Sequence, residues 1–274
     1  MKLLIVTTKK DLSCDKIIEE AKKKDIDILK IFYEEFNLKD FKPEKFKDFN
    51  FCILRDPYNT GTDYSTYFKK MLKFFGEHKS FDYKAYNKFP SYEDKLFQHD
   101  LFGNALEMPK IYSLTDGIES FPIIIKKRIS SRGKNIFVID TKKELEKFLS
   151  EYDISDYIIE EFLDVEKDIR IILVNNKIVE TVERKTRFKE NGNYTGIGVK
   201  ILNKYEPSEE IKKKAILVSK IIGSDFCGID FIMDKNENNY LLECNISPQF
   251  VSSERILDVN IAEKVINFIL KKLL

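Results

Sequence analysis

Histidine is nearly absent: the 274 residues include two, His78 and His99. That weighs against His-rich zinc sites and Ser-His-Asp chemistry. The four cysteines, Cys14, Cys52, Cys227 and Cys244, include no Cys-x-x-Cys pair. They read as reduced, mostly buried thiols of a cytoplasmic protein. No apolar run approaches the roughly 20 residues that span a bilayer. The opening Met1-Lys2-Leu3-Leu4-Ile5-Val6 is too short and too quickly charged for a signal peptide, and reads as a strand. Charge of one sign is also missing. Lys+Arg 47 against Asp+Glu 46 leaves +1, so no global field points to nucleic acid or a membrane. No Gly-x-Gly-x-x-Gly follows the first strand, which argues against a dinucleotide site there.

What remains is a globular chain, 43% apolar and long enough for two or three subdomains. Apolar runs over 2–7, 26–31 and 49–54 read as strands, with a helix to about Lys24 capped by Asp11 or Ser13. The alternation predicts a small parallel sheet. Arg55, at the end of the third strand, reads equally as a carboxylate or phosphate contact and as an edge charge. Residues 56–90 form a polar, aromatic-rich connection with an amphipathic segment over 67–75. A helix over 91–106 takes Ser91 as its cap and Asp94 in its first turn. The closing segment, 256–274, is an amphipathic helix with Ile261, Val265, Ile266 and Ile269 on its apolar side.

Two stretches carry chemistry. Gly228–Met233 and Tyr240–Cys244 flank the polar Lys235-Asn236-Glu237-Asn238, which fits a hairpin with a four-residue connection. Folded symmetrically, Asp234 faces Asn239, Ile232 faces Leu241 and Asp230 faces Glu243. Two carboxylates then sit about 5 Å apart on one face, with Asn245 on that face too. Opposed like charges among apolar neighbours need an offset, and Mg²⁺ suits two carboxylates and an amide oxygen. A register slip by one residue, leaving one carboxylate in solvent, satisfies the same geometry. In the second stretch, Pro122 opens a strand that ends at Lys126, before the loop Ser130-Ser131-Arg132-Gly133-Lys134-Asn135. Such a lysine holds phosphate by point charge while loop N–H groups and hydroxyls cradle the oxygens. A solvated turn is the plainer reading.

In order, these segments resemble the ATP-grasp fold, and within it the RimK-type carboxylate–amine ligases. The resemblance runs from about Ser91 to the C-terminus. It implies a small α/β, Rossmann-like N-terminal domain (1–90) and two α+β subdomains (91–160 and 161–274) that clamp ATP. It implies that Lys95 and Lys126 hold ATP phosphates and that the loop with Ser131 and Gly133 closes over them. Glu160 would meet the adenine amino group, with Phe162 and Leu163 as linker contacts and Asp168 on the ribose. Asp230, Glu243 and Asn245 would hold Mg²⁺, with Mn²⁺ as an alternative. Arg170 and Arg184 would face the phosphate and acyl group, and Asn193 the substrate. Ser130 and Asn135 stand where relatives carry glycines, and Gln249 where they carry glycine after Ser-Pro.

The chemistry so implied is carboxylate activation as an acyl phosphate, then attack by an amine. Small molecules or peptides supply both groups. Relatives form dimers or tetramers, and nothing in this sequence marks an interface. Thr7, Asp11 and Asp15, spaced by four, resemble the head of the ATP-grasp ligases that cross-link ribosomal peptides. An acidic helix start is equally favoured by the dipole. That peptide-modifying branch and an ATP-binding regulatory protein without turnover stand as alternatives, with a phosphotransferase behind them.

Overall fold

The first apolar run becomes the middle of a parallel sheet. In the computed structural model, which describes residues 1–9, 11–35, 41–55, 65–89, 91–130, 135–185 and 200–274, β1 (Lys2–Thr7) lies between β2 (Asp27–Phe32) and β3 (Phe51–Leu54). Both neighbours run parallel to it. Leu3–Val6 are fully buried, as a strand covered on both faces must be. Between β1 and β2 runs α1 (Leu12–Lys22), capped by Asp11, whose carboxylate accepts from the Cys14 N–H. Ser13 lies inside this helix and donates to Gln249 instead.

The amphipathic segment of the connection forms α2 (Ser65–Phe75), which buries Tyr67, Phe68, Met71, Leu72 and Phe75 along one stripe. α3 (Tyr83–Lys88) follows it. The next helix, α4 (Lys95–Phe102), starts later than the sequence predicts: Asp94, not Ser91, is the cap, and it accepts from the Leu96 N–H. Arg128 explains the choice. Its guanidinium is ion-paired with Asp94 at 2.6 Å and fixes that carboxylate at the helix start.

A second sheet holds β4 (Ile111–Tyr112), β5 (Ile123–Lys127), β6 (Ile136–Ile139) and β7 (Tyr157–Glu161), in the order β4-β7-β5-β6 and antiparallel throughout. α5 (Lys142–Glu151) covers it with Leu145 and Phe148 against Ile123, Ile125 and Ile159.

The third sheet is built from β8 (Val165–Val174), β9 (Lys177–Lys185), β10 (Lys200–Lys204), β11 (Phe226–Asp234) and β12 (Asn239–Asn245), in the order β10-β9-β8-β11-β12. α6 (Glu209–Ile222) lays Ile211, Ala215, Val218 and Ile222 on one face, against Ile169, Ile171, Leu173, Cys227, Ile229 and Phe231. The other face is divided. At one end Ile172, Val174 and Phe226 join a core with β1, α1 and α8 (Ile261–Leu273). The rest of that face carries charged and polar side chains together with Val182 and Ile232. α7 (Val251–Leu257) lies between the β11–β12 hairpin and α8. No described helix is long and apolar enough to cross a membrane.

Asp82 ties the first and third sheets together. Its Oδ1 accepts from Ser224 Oγ and from the N–H groups of Asp225 and Phe226. Its own N–H donates to Asp225, which also pairs with Lys272. Burial, then the Asp225 charge, push the Asp82 carboxyl up to about 7. A raised carboxyl binds its proton more tightly in the folded state, so stability is highest at low pH and falls as pH rises from about 3.8 to about 7. Asp82→Asn keeps the accepting oxygen and removes the titration. Urea unfolding across that range should therefore fall more steeply for wild type than for the variant, and parallel curves would refute the assignment.

Candidate active site

The hairpin sets two carboxylates face to face. Asp230 on β11 is opposite Glu243 on β12, and Gly228 is opposite Asn245. Nearer the tip the symmetric register fails. Phe231 faces Leu241 and Ile232 faces Tyr240, so neither Ile232–Leu241 nor Asp234–Asn239 is a pair, and Leu242 is the extra residue of a bulge. The cause is the turn. The Asp234 carboxylate accepts from the Asn236 and Asn238 N–H groups and from Asn238 Nδ2, which closes a loop over 234–238. That loop is one residue longer than symmetry requires, and the bulge restores step before the carboxylates are reached.

On the polar face, register places side chains in rows. One row runs Arg184, Asp168, Ile232; the next runs Val182, Arg170, Asp230, Glu243; the third runs Glu180, Ile172, Gly228, Asn245. Arg170 grips Asp230 with Nε at 2.7 Å and Nη2 at 2.6 Å. Arg184 donates to Asp230 at 3.3 Å and pairs with Asp168 through Nε at 2.9 Å and through Nη2. Asp168, Arg184 and Asp230 are all buried. Burial works against the Asp230 anion, but the Arg170 and Arg184 charges outweigh it and hold that carboxyl below its usual range. Asp168 goes the other way: burial pushes it up to about 6 against the pull of Arg184, with the Asp230 charge adding to the push.

Glu243 is the more open acid, with 30% of its side chain exposed. It accepts from Asn245 Nδ2 at 3.0 Å, which turns the Asn245 amide oxygen away from it, and Lys95 Nζ lies 4.0 Å from its other oxygen. No three or more of His, Cys, Asp and Glu gather into a metal cage among the described residues. The Asp–Glu–Asn set is of another kind. A carboxylate offers about four acceptor positions, and the arginines take three at Asp230. One oxygen position there, with Glu243 and the Asn245 amide, is a hard oxygen set that fits Mg²⁺ keeping the rest of its shell for water and phosphate.

The two lysines have different partners. Lys95, first residue of α4, donates to the Ser130 carbonyl at 3.0 Å and so links the loop after β5 to Glu243. Lys126 on β5 is ion-paired with the buried Glu160 of β7, the next strand. Phe162 and Leu163 follow β7 directly and are half-buried. Ser131, Arg132, Gly133 and Asn193 lie outside the described residues.

At the inner end of the site the structure has a bolt that the sequence reading misses. Arg55 is buried and donates Nε to Asp11 Oδ2 at 2.8 Å and Nη2 to the Pro248 carbonyl at 3.0 Å. It is thus a carboxylate contact, buried inside the protein, and not an edge charge. Thr7 Oγ1 and Gln249 Nε2 also donate to Asp11. Asp15, the third member of the spaced set, pairs with Lys30 on the surface. Gln249, in place of the expected glycine, therefore ties the segment after Asn245 to the first sheet. Gly228 completes the fit. A Cβ there would meet Pro248 Cβ at 2.9 Å, so the bare backbone lets Pro248 lie on the sheet beside Asn245. Nothing local in the sequence signals the bolt, because Asp11 and Arg55 lie far apart in the chain.

A family model described as a RimK-like ATP-grasp domain matches residues 100–269. N-acetylaspartylglutamate synthase A of Homo sapiens is 26% identical over 193 residues, 64% of this chain and 46% of that protein. A probable alpha-L-glutamate ligase of Maridesulfovibrio salexigens is 26% identical over 165 residues, 58% of this chain and 53% of that protein. The chain spans about half the length of these curated relatives. Among solved structures, the ATP-grasp ligase PsnB, complexed with a phosphomimetic variant of minimal precursor, Mg, and ADP, superimposes with a TM-score of 0.75 at 15% identity. That match covers 99% of this chain and 98% of that one, and it establishes the fold.

Proposed function

The chain belongs to the RimK-like ATP-grasp family, and from that premise we propose that it is an ADP-forming ligase joining a carboxylate to an amine through an acyl phosphate. The observation that carries the reading is the polar face itself. Asp230 and Glu243 oppose each other beside an arginine whose guanidinium is already oriented. Asp230, Glu243 and the Asn245 oxygen would hold Mg²⁺, which when bound neutralises charge on phosphate oxygens. Lys95 and Lys126 bind the phosphates by point charge. For Lys126 this means exchanging Glu160 for phosphate, which releases that acid toward the adenine amino group. Phe162 and Leu163 supply the linker contacts, and Ser131 and Gly133 the loop.

The two arginines divide the work. Arg184 has all three nitrogens committed to Asp168 and Asp230, so it orients Asp230. Arg170 uses Nε and Nη2 on Asp230, which leaves Nη1 to meet the oxyanion that forms when the amine attacks. Asp168, buried against Arg184, serves the ribose only if that pair opens. Both curated relatives name a glutamate product or substrate, which makes glutamate a natural amine to try first. A second reading takes a peptide as substrate. It is favoured by the full-length likeness to PsnB, whose described complex contains a minimal precursor.

The test is ADP release from Mg²⁺-ATP over a panel of carboxylates, amino acids and short peptides. Release that depends on substrate, disappears in Asp230→Asn and Glu243→Gln, and leaves a hydroxamate when hydroxylamine is added is the expected result. ADP release without hydroxamate would mark a phosphotransferase. ATP binding with no release on any mixture would mark a regulatory protein, and absence of ATP binding would overturn the reading.

A further inference from the structure

One acid on the catalytic face has no task in this scheme. Glu180 of β9 lies in the row next to Arg170, on the same side of the sheet. It is only 5% exposed. Among the described residues neither of its carboxyl oxygens has a hydrogen-bond partner. A buried carboxyl without partners is left with its desolvation uncompensated, so its position asks for a ligand. Arg170 is its diagonal neighbour across the β8–β9 pair, a separation of roughly 7 Å. That guanidinium turns Nε and Nη2 to Asp230 and makes no hydrogen bond to Glu180. Among the described residues, the other polar groups that act on its carboxyl are the Ser253 hydroxyl and the Glu254 carboxylate of α7. Neither supplies a cation.

The reaction does supply one. An amine at neutral pH arrives as an ammonium ion and must lose a proton before it can attack. We propose that Glu180 receives the ammonium group of the amine substrate and takes one proton from it, beside the acyl carbon that Arg170 serves. The inference rests on the ligase reading. The balance is direct. The ammonium gives one proton to the Glu180 carboxylate. The neutral amine attacks the acyl phosphate carbon, a C–N bond forms, and the C–O bond to phosphate breaks. The second nitrogen proton leaves with the phosphate, and Glu180 returns its proton to water.

The environment of Glu180 suits the task. Burial pushes its carboxyl up to about 7, against the pull of the Ser253 hydroxyl and with Glu254 adding to the push, while the Arg170 charge pulls it down. A group that titrates near the working pH both accepts and gives up a proton readily. Shielded from bulk water, the anion attracts an incoming ammonium more strongly than a surface carboxylate does.

The test is a competition between two nucleophiles. Wild type, Glu180→Gln and Glu180→Asp are given Mg²⁺-ATP, the carboxylate panel, a mixture of amino acids headed by L-glutamate, and hydroxylamine. Hydroxylamine is uncharged at neutral pH and needs neither an ammonium subsite nor a base. The expected result is an amide-to-hydroxamate ratio at least about tenfold lower in Glu180→Gln, a raised KM for the amine, and partial recovery in Glu180→Asp. An unchanged ratio would overturn the proposal. So would a parallel fall of both products, which would mark a merely structural role, or hydroxamate without any amide from wild type. Wild type that forms no hydroxamate would sink the ligase reading itself, so the two failures are distinguishable.

Discussion

Asp230→Asn is expected to cost the fold roughly 3 kcal/mol as well as at least about 100-fold in ADP release, whereas Glu243→Gln should lose turnover alone. The difference follows from what each acid holds. Asp230 is buried and accepts from Arg170 at 2.7 and 2.6 Å and from Arg184 at 3.3 Å. An asparagine there keeps one acceptor oxygen and turns an NH₂ toward a guanidinium. The buried Arg184 then keeps only Asp168 as an anionic partner and Arg170 loses its bidentate one, and an uncompensated buried charge is the expensive case. Glu243 is partly exposed, with Asn245 at 3.0 Å and Lys95 at 4.0 Å. Pairs of that kind are worth about 0–1 kcal/mol. Urea unfolding of both variants, run beside the ADP assay, measures the two effects separately. Equal stability losses would mean that the arginines do not depend on Asp230. Turnover surviving in either variant would remove that residue from the metal set.

Arg55→Met should be more damaging still to the fold, by about 3–5 kcal/mol, because it strands the buried Asp11 anion. Asp11 is fully buried as a side chain, and burial alone would raise its carboxyl; the Arg55 charge and hydrogen bonds reverse that and hold it well below the usual range. The double change Asp11→Leu/Arg55→Met removes both charges and should recover most of the loss. The pH dependence is a second readout. A depressed carboxyl contributes stability that is present above its unfolded value of 3.8 and is lost as pH falls through the folded value. Arg55→Met should flatten that acid limb. A functional trace is expected too: without Arg55 the Pro248 carbonyl loses its donor, so the segment after Asn245 loosens and more Mg²⁺ is needed for half-maximal turnover. A variant as stable as wild type would show that the bolt contributes nothing.

The site was legible in proportion to how local its geometry is. The hairpin and the two-residue period that puts Asp230 and Glu243 on one face could be read from residues 226–249 alone; their direct pairing also needs the Leu242 bulge, which offsets a turn one residue longer than symmetry requires. The amphipathic stripe of 67–75 and the apolar run of β1 were legible for the same reason. The tip of the hairpin was not, because the turn length depends on one side chain: Asp234 gathers three N–H donors and adds a residue to the loop. The start of α4 was misplaced likewise, since two caps compete locally and Arg128, from another element, favours Asp94.

By itself the sequence determined the main strands and helices, the shared face of the two carboxylates, and the order of segments that marks the family. Periodicity and turn chemistry act over a few residues, and a chain carries them wherever it goes. Only the tertiary structure decided which charge meets which. Asp168 pairs with Arg184, Lys126 with Glu160 and Asp11 with Arg55, and Glu180 meets no partner among the described residues. In a chain with 47 basic and 46 acidic side chains, composition allows nearly any pairing. Strand order and burial choose among them, because a charge removed from water is tolerable only beside the partner that the fold brings to it.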